Sequence, residues 1–277
     1  MLFPGLLTWY LIPKAPIISY GMDMHRENII IPESMGYVSG CICIFICILY
    51  GVYTYNMALS VLLGLVDDIF VLRWRDKLLL HAICLCPTVW HLWWWPVALC
   101  CTLFCSNSIN ILSGINGVEA IQVIVMSLGF MCIDIIDGRI DILPGLIVST
   151  SMALLWYNRY PAKIFVCDTF TTYGGLAIAW MTFTRRSYVS TAFMMIPQGV
   201  NFILSLPQLL GYRPCPQHRL PAWNPDKDVL QSSGHGTLLN LILERVGPMH
   251  EARLTYIIGL FQLLTTCMGI IIYYISK

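Results

Sequence analysis

Two adjacent aspartates, Asp67 and Asp68, lie at the end of an apolar run in GLVDDIFVLRWRDKLLL, and the cations Arg73, Arg75 and Lys77 follow around Trp74. Such a mixture suits phosphoryl transfer, where cations neutralise phosphate oxygens and carboxylates handle a proton or a metal. Three more stretches carry similar groups. FCSNSINILSGINGVEA holds Asn107, Asn110, Gly114, Asn116 and Gly117, WYNRYPAKIFVCDTF holds Asn158, Arg159, Lys163 and Asp168, and IPESMGYVSG places Glu33 before an apolar run. Asp168 is followed by an apolar run, where an unpaired carboxylate is costly. Magnesium is usually held by one or two protein oxygens plus waters and substrate phosphates, and Asp168 with an amide oxygen from NSIN provides such a partial cage. A glycine-rich turn such as SGING lets the backbone approach a nucleotide closely. Each motif also has an ordinary reading: a solvated helix end for Asp67-Asp68, a turn for Asn116-Gly117, a topology signal for RWR.

The elements that position these groups follow from composition. Of 277 residues, 57% are hydrophobic and 11% charged, with a mean hydropathy of +0.71. Soluble domains carry about 25% charged residues, so the expectation is an all-α, polytopic membrane protein forming one domain over 1–277. At about 20 residues per span there is room for about ten helices, near 1–19, 36–55, 57–70, 77–92, 96–112, 118–136, 142–158, 163–182, 188–210 and 254–275. The one long connection, 211–253, is inserted before the last span. Alternate connections divide the basic residues unevenly. One set holds Arg26, Arg73, Arg75, Lys77, Arg159, Lys163, Arg213, Arg219, Lys227, Arg245 and Arg253; the other holds Arg139, Arg185, Arg186 and Lys277. Positive charge favours the cytosolic side, which puts the candidate site at the cytosolic face. Arg185 and Arg186 run against that division, and Asp134, Asp137 and Asp141 are the acidic residues on their side.

Other conspicuous residues read as structural. Most of the twelve cysteines sit in apolar runs and behave as small hydrophobes. His81, His91, His235 and His250 show no metal-ligand spacing. WHLWWW fits an interfacial aromatic anchor on the lumenal side. TLLNLILERV, 237–246, is an expected amphipathic helix at the membrane interface, ended by Gly247-Pro248. The apolar N-terminus runs into Lys14 without a small-residue cleavage site, so no cleavable leader is expected.

GLVDDIFVLRWRDKLLL, FCSNSINILSGINGVEA, YNRYPAKIFVCDTF, NFILSLPQLL and PCPQHRLP resemble, in order, motifs of the polyprenyl-phosphate N-acetylhexosamine-1-phosphate transferases. The likeness runs from MDMHRENIIIPESMG to TLLNLILERVGPMHEARLT, and PCPQHRLP marks the eukaryotic type. The resemblance implies a ten-helix protein of the endoplasmic reticulum membrane. It would move GlcNAc-1-phosphate from UDP-GlcNAc to dolichyl phosphate, releasing UMP, in the first step of lipid-linked oligosaccharide synthesis for N-glycosylation. By matching motifs, Asn110 and Asp168 would hold Mg²⁺, Lys77 would contact phosphate, and Asp67 and Asp68 would organise the acceptor phosphate. Met24, Glu33, Gly114, Asn116 and Phe165 would hold uridine, while Trp74, together with His218 and Arg219 of the 211–253 connection, would line the pocket for the N-acetyl sugar. Arg73, Arg75 and Gln217 are further candidates for phosphate contact. Gln217 stands where the family has an arginine, Val71 where it has an asparagine and Cys167 where it has a glycine. Implied partners are the two substrates and membrane lipid, without nucleic acid, together with a homodimer mate and the next glycosyltransferase of the pathway. Alternatives are a nucleotide-sugar transporter, disfavoured because no internal repeat is visible, and a transferase of the same fold acting on another UDP-N-acetylhexosamine.

Overall fold

The computed structural model describes residues 2–26, 29–52, 55–70, 72–90, 92–214 and 219–277. Helices dominate: α1 (Leu2–Leu11), α2 (Gly36–Leu49), α3 (Tyr55–Phe70), α4 (Trp74–Val89), α5 (Trp95–Ile111), α6 (Val118–Asp137), α7 (Leu143–Asn158), α8 (Cys167–Arg185), α9 (Tyr188–Met194), α10 (Ile196–Leu209), α11 (Leu238–Val246) and α12 (Glu251–Ile275). Two small antiparallel hairpins join them, β1 (Ser19–Asp23) with β2 (Ile29–Glu33), and β3 (Ala222–Asn224) with β4 (Val229–Gln231). These hairpins depart from the all-α expectation. The Ile29–Ile31 run is β-branched, which fits a pleated surface, and the first expected span stops where Pro13 and Pro16 interrupt its helix.

Helices α6 and α12 are long and apolar enough to cross a membrane, as is the α9–α10 pair, bent by 65°. Pro197 at the start of α10 supplies no N–H to continue a straight helix through the bend. Helices α2 to α5 have 14 to 17 residues, or about 21–26 Å at 1.5 Å per residue. That is shorter than a hydrocarbon core of about 30 Å.

Helix α8 lies at the centre, against α2, α3 and α5, while α6 packs between α7 and α12. Phe170 and Tyr173 of α8 are fully buried and join Val61, Ile109, Val123 and Phe130 in the main apolar core. Close approach at the α3–α8 contact depends on Gly64, where a Cβ would stand 2.5 Å from Thr169 Cα. On the other side of α8, Gly175 lies against the Cys105 carbonyl of α5 in the same way. The ends of α3 and α5 therefore reach the start of α8.

The described part of the 211–253 connection is folded. Its β3–β4 hairpin and α11 enclose a second core in which Leu230, Leu238, Leu239 and Leu243 meet Leu112, Ile115 and Val118. Thr237 caps α11 by accepting the Asn240 N–H at 3.3 Å, and Gly247 follows its last turn. The helix read from TLLNLILERV is present, with its apolar side turned into this core.

At the far end of α8, Arg185 is buried and donates to Asp134 at 2.7 and 2.6 Å and to Asp141 at 2.8 Å. Asp137 pairs with Lys277 at 2.9 Å and Arg139 at 3.6 Å. The charges that ran against the topology pattern are thus largely paired with one another, which explains Arg185.

Candidate active site

Asp67, in the last turn of α3, is 6% exposed. Its Oδ1 accepts the Leu72 N–H at 2.9 Å, and its Oδ2 lies 2.5 Å from Lys77 Nζ. The same ammonium donates to Asp168 Oδ2 at 2.7 Å. The other oxygen of Asp168 accepts from the Asn110 amide near the end of α5. Residues from four helices thus converge at one point, with Asp67, Lys77, Asn110 and Asp168 in direct contact.

Asp68 has a different place. Its Oδ1 accepts the Asp168 N–H at 2.9 Å, while Oδ2 accepts the Thr169 N–H at 3.2 Å and the Thr169 hydroxyl. It satisfies the open N–H groups at the start of α8, as a capping carboxylate does. Neighbouring helical residues point about 100° apart, which is why the two aspartates serve different partners.

Two carboxylates, Asp67 and Asp168, share one ammonium here, leaving negative charge that a divalent cation can balance. Carboxylate and amide oxygens are the hard donors magnesium prefers, and a half-turn of the Asn110 amide presents its oxygen beside Asp168. Among the described residues, no group of three His, Cys, Asp or Glu side chains forms a metal cage. Asp168 and Asn110 fit a magnesium ion that keeps waters and substrate phosphates as its other ligands.

A second set of residues lies beside this cluster. Phe165, two residues before α8, accepts the Met35 N–H at 3.1 Å and donates its N–H to Pro32 O at 2.8 Å. Its ring packs against Gly21 of β1, as does Glu33 of β2. Met24 is 53% exposed in the turn between those strands. In the 113–117 loop, Asn116 is buried and its Nδ2 has no partner among the described residues. Gly114 of that loop lies against Leu220, so the connection carrying Arg219 covers it. Arg219 Nη1 is buried without a hydrogen-bond partner among the described residues, a cationic donor available to a phosphate.

Arg73 and Arg75 are exposed at the start of α4, and the Arg73 carbonyl accepts the Lys77 N–H at 2.9 Å. Val71, Gln217 and His218 lie outside the described residues, as does the side chain of Trp74.

Several site residues were not assigned roles from the sequence. Thr169 shares Asp68 with Asp168. Asn158 accepts the Gly117 N–H at 3.0 Å and donates to Ile164 O at 2.9 Å, tying the 113–117 loop to the segment before α8. Glu251 accepts the Asn116 N–H at 2.5 Å and pairs with His25 at 3.1 Å. Burial opposes the charge on His25, but the hydrogen bond and charge of Glu251, with Asp23 nearby, raise its pKa above the ordinary value. The only signal for Glu251 was its place at a helix start after Gly-Pro, in GPMHEARLT.

The fold is a helical bundle of membrane character, with a carboxylate–lysine–amide cluster at one end and a glycine-containing loop beside it. Residues 88–185 match the model of glycosyl transferase family 4. The chain is 36% identical over 202 residues to UDP-N-acetylglucosamine–dolichyl-phosphate N-acetylglucosaminephosphotransferase of Leishmania amazonensis, covering 62% of this chain and 43% of that protein. Proteins of the same name are 29% identical in Dictyostelium discoideum, over 96% of this chain and 85% of the relative, and 31% identical in Saccharomyces cerevisiae, over 76% and 64%. The chain thus spans less than two thirds of the Leishmania and yeast relatives. The names of these relatives agree with the resemblance read from the motifs.

Proposed function

We propose that this chain transfers GlcNAc-1-phosphate from UDP-GlcNAc to dolichyl phosphate, giving GlcNAc-diphosphodolichol and UMP, with Mg²⁺ as cofactor. The observation that carries this reading is the convergence of Asp67 and Asp168 on Lys77, with Asn110 closing on Asp168. The names of the relatives supply the substrates.

In this reaction a phosphate oxygen of the lipid attacks the β-phosphorus of UDP-GlcNAc. A new P–O bond forms, and the bond from the β-phosphorus to the oxygen bridging it to the α-phosphorus breaks. UMP leaves with that oxygen, and the anomeric C–O bond stays intact. A phosphate monoester has its second pKa near 6, so the attacking dianion is abundant at neutral pH and a strong base is not required. Magnesium held by Asp168 and Asn110 supplies charge neutralisation to the diphosphate when bound. Lys77 steadies phosphate charge, and Asp67 orients Lys77 through their 2.5 Å contact. Asp68 acts through the start of α8, where it fixes Asp168.

Met24, Glu33, Gly114, Asn116 and Phe165 form the uridine side, and Trp74, His218 and Arg219 the sugar side. Arg219 assumes the diphosphate contact that Gln217 cannot make as a cation. In this reading the chain is a multi-pass protein of the endoplasmic reticulum membrane, and the excess of basic residues in one set of connections supports a cytosolic site.

The test is UMP release by the detergent-solubilised chain given Mg²⁺ and a short-chain polyprenyl phosphate, comparing UDP-GlcNAc, UDP-GalNAc and UDP-glucose. UDP-GlcNAc is the expected substrate, and transfer without a sealed membrane rules against transport. EDTA should abolish release, with recovery on adding Mg²⁺. Near-normal turnover by folded Asp168→Ala would remove the metal assignment.

A further inference from the structure

Glu251 is the first residue of α12 and is 3% exposed. Its Oε1 accepts the Asn116 N–H at 2.5 Å, and its Oε2 stands 3.1 Å from His25 Nδ1. One turn further along α12, the Thr255 hydroxyl donates to Asn116 O at 3.0 Å. The first turn of α12 therefore holds both backbone polar groups of Asn116. Its side-chain Nδ2, buried and without a partner among the described residues, is left as a donor. On the opposite side of the carboxylate, His25 follows Met24 in the β1–β2 turn, and its own N–H donates to Asp23 Oδ1 at 3.1 Å. A carboxylate this buried is costly unless hydrogen-bonded, and both of its oxygens are engaged. This side chain joins the two surfaces given to uridine, the 113–117 loop and the β1–β2 hairpin.

We propose that Glu251 is a positioning residue of the nucleotide subsite, fastening the Asn116 loop and the His25 turn to α12 so that they form one preorganised surface. The proposal rests on the UDP-sugar reading above. Glu251 shares no hydrogen bond with Asp67, Lys77, Asn110 or Asp168, whose contacts run through α3, α4, α5 and α8. Its loss therefore falls on nucleotide affinity and leaves the reacting groups in place. An interaction made equally in the ground and transition states appears in KM and not in kcat.

The experiment uses the full solubilised chain with Glu251→Ala, Glu251→Gln and His25→Asn. It reads kcat, KM for UDP-GlcNAc, KM for a short-chain polyprenyl phosphate, and UMP affinity by calorimetry, with thermal melts to establish folding. Glu251→Ala should weaken UMP and raise KM for UDP-GlcNAc about tenfold or more, with kcat within about twofold and the lipid KM unchanged. Glu251→Gln keeps an acceptor for the Asn116 N–H but loses the charge facing His25, so it and His25→Asn should show a smaller rise of about three- to fivefold. Folded variants that bind UMP within about twofold of the unaltered chain, or that lose kcat at constant KM, overturn the proposal. If Glu251→Ala does not fold, the other two variants decide by the same criterion. An unaltered chain that neither binds UMP nor releases it from UDP-GlcNAc overturns the UDP-sugar reading and this proposal together, a result distinct from normal binding by the variants.

Discussion

Asp68 Oδ1 accepts the backbone N–H of Asp168 at 2.9 Å across the α3–α8 contact. The second carboxylate of the DD pair thus acts on the proposed metal ligand through the helix that carries it. Asp68→Ala removes a cap from buried N–H groups and should cost about 1–2 kcal/mol of stability, lowering turnover because Asp168 loses its fixed position. Asp68→Asn keeps one acceptor oxygen and should retain more of both. Thermal melts and UMP release, measured on the same preparations, check this; equal losses in the two variants would contradict capping as the role.

Cys167 precedes Asp168 at φ 56°. A side chain in that left-handed region costs about 1–2 kcal/mol, against about 0.5–1 kcal/mol of additional chain entropy lost by a glycine. Cys167→Gly should therefore stabilise the protein by up to about 1 kcal/mol, a rise of about 2 °C in melting temperature. Turnover should be at least maintained. A lower melting temperature would show that packing around the thiol outweighs the backbone gain.

Arg185 ties the end of α8 to Asp134 of α6 and to Asp141 before α7. Arg185→Ala leaves two carboxylates without their cation, and breaking a buried pair typically costs about 3–5 kcal/mol. Asp168 lies 17 residues earlier on the same helix, about 25 Å away along its axis. At permissive temperature the variant should keep its KM and kcat while its melting temperature falls. A loss of turnover at full stability would mean that this end of the bundle communicates with the site.

The site-bearing segments were legible because Asp67, Asp68, Lys77, Asn110 and Asp168 interrupt apolar runs at helix ends, where ionisable groups are expensive. Their partners were not. Whether Asp68 faces a ligand or a helix terminus depends on how closely α3 approaches α8 at Gly64, a tertiary distance that periodicity does not carry. Arg185 looked anomalous because topology counts treat cations singly, whereas its partners come from α6 and the connection to α7. The β1–β2 hairpin fell in the connection between the first two expected spans, because two five-residue runs carry too little periodicity to be read as paired strands. Glu251 stood apart from every motif given a role, since its function arises from contacts with residues 135 and 226 positions away.

The His25–Glu251 pair also makes a prediction about pH. Several groups face it: Glu251 from α12, Asp23 from β1 with Arg26 beside it, and Tyr160 and Asp228 with His250 near the adjoining cleft. Burial opposes protonation of His25, but its bond to Glu251 and the surrounding negative charge win, and its pKa lies above the ordinary value near 6.5. A raised folded-state pKa means that the folded protein holds this proton more tightly than the unfolded chain. The resulting stability is complete below about pH 6.5 and is lost as pH rises through the folded-state value. Melting temperatures of the unaltered chain and of His25→Asn should therefore differ by a constant amount at acidic pH and converge at higher pH. UMP affinity of the unaltered chain should weaken over the same interval, because the neutral imidazole no longer pairs as a cation with Glu251. Parallel melting curves across the whole range would show that His25 stays neutral in the fold, and that the link between the turn and α12 is an uncharged hydrogen bond.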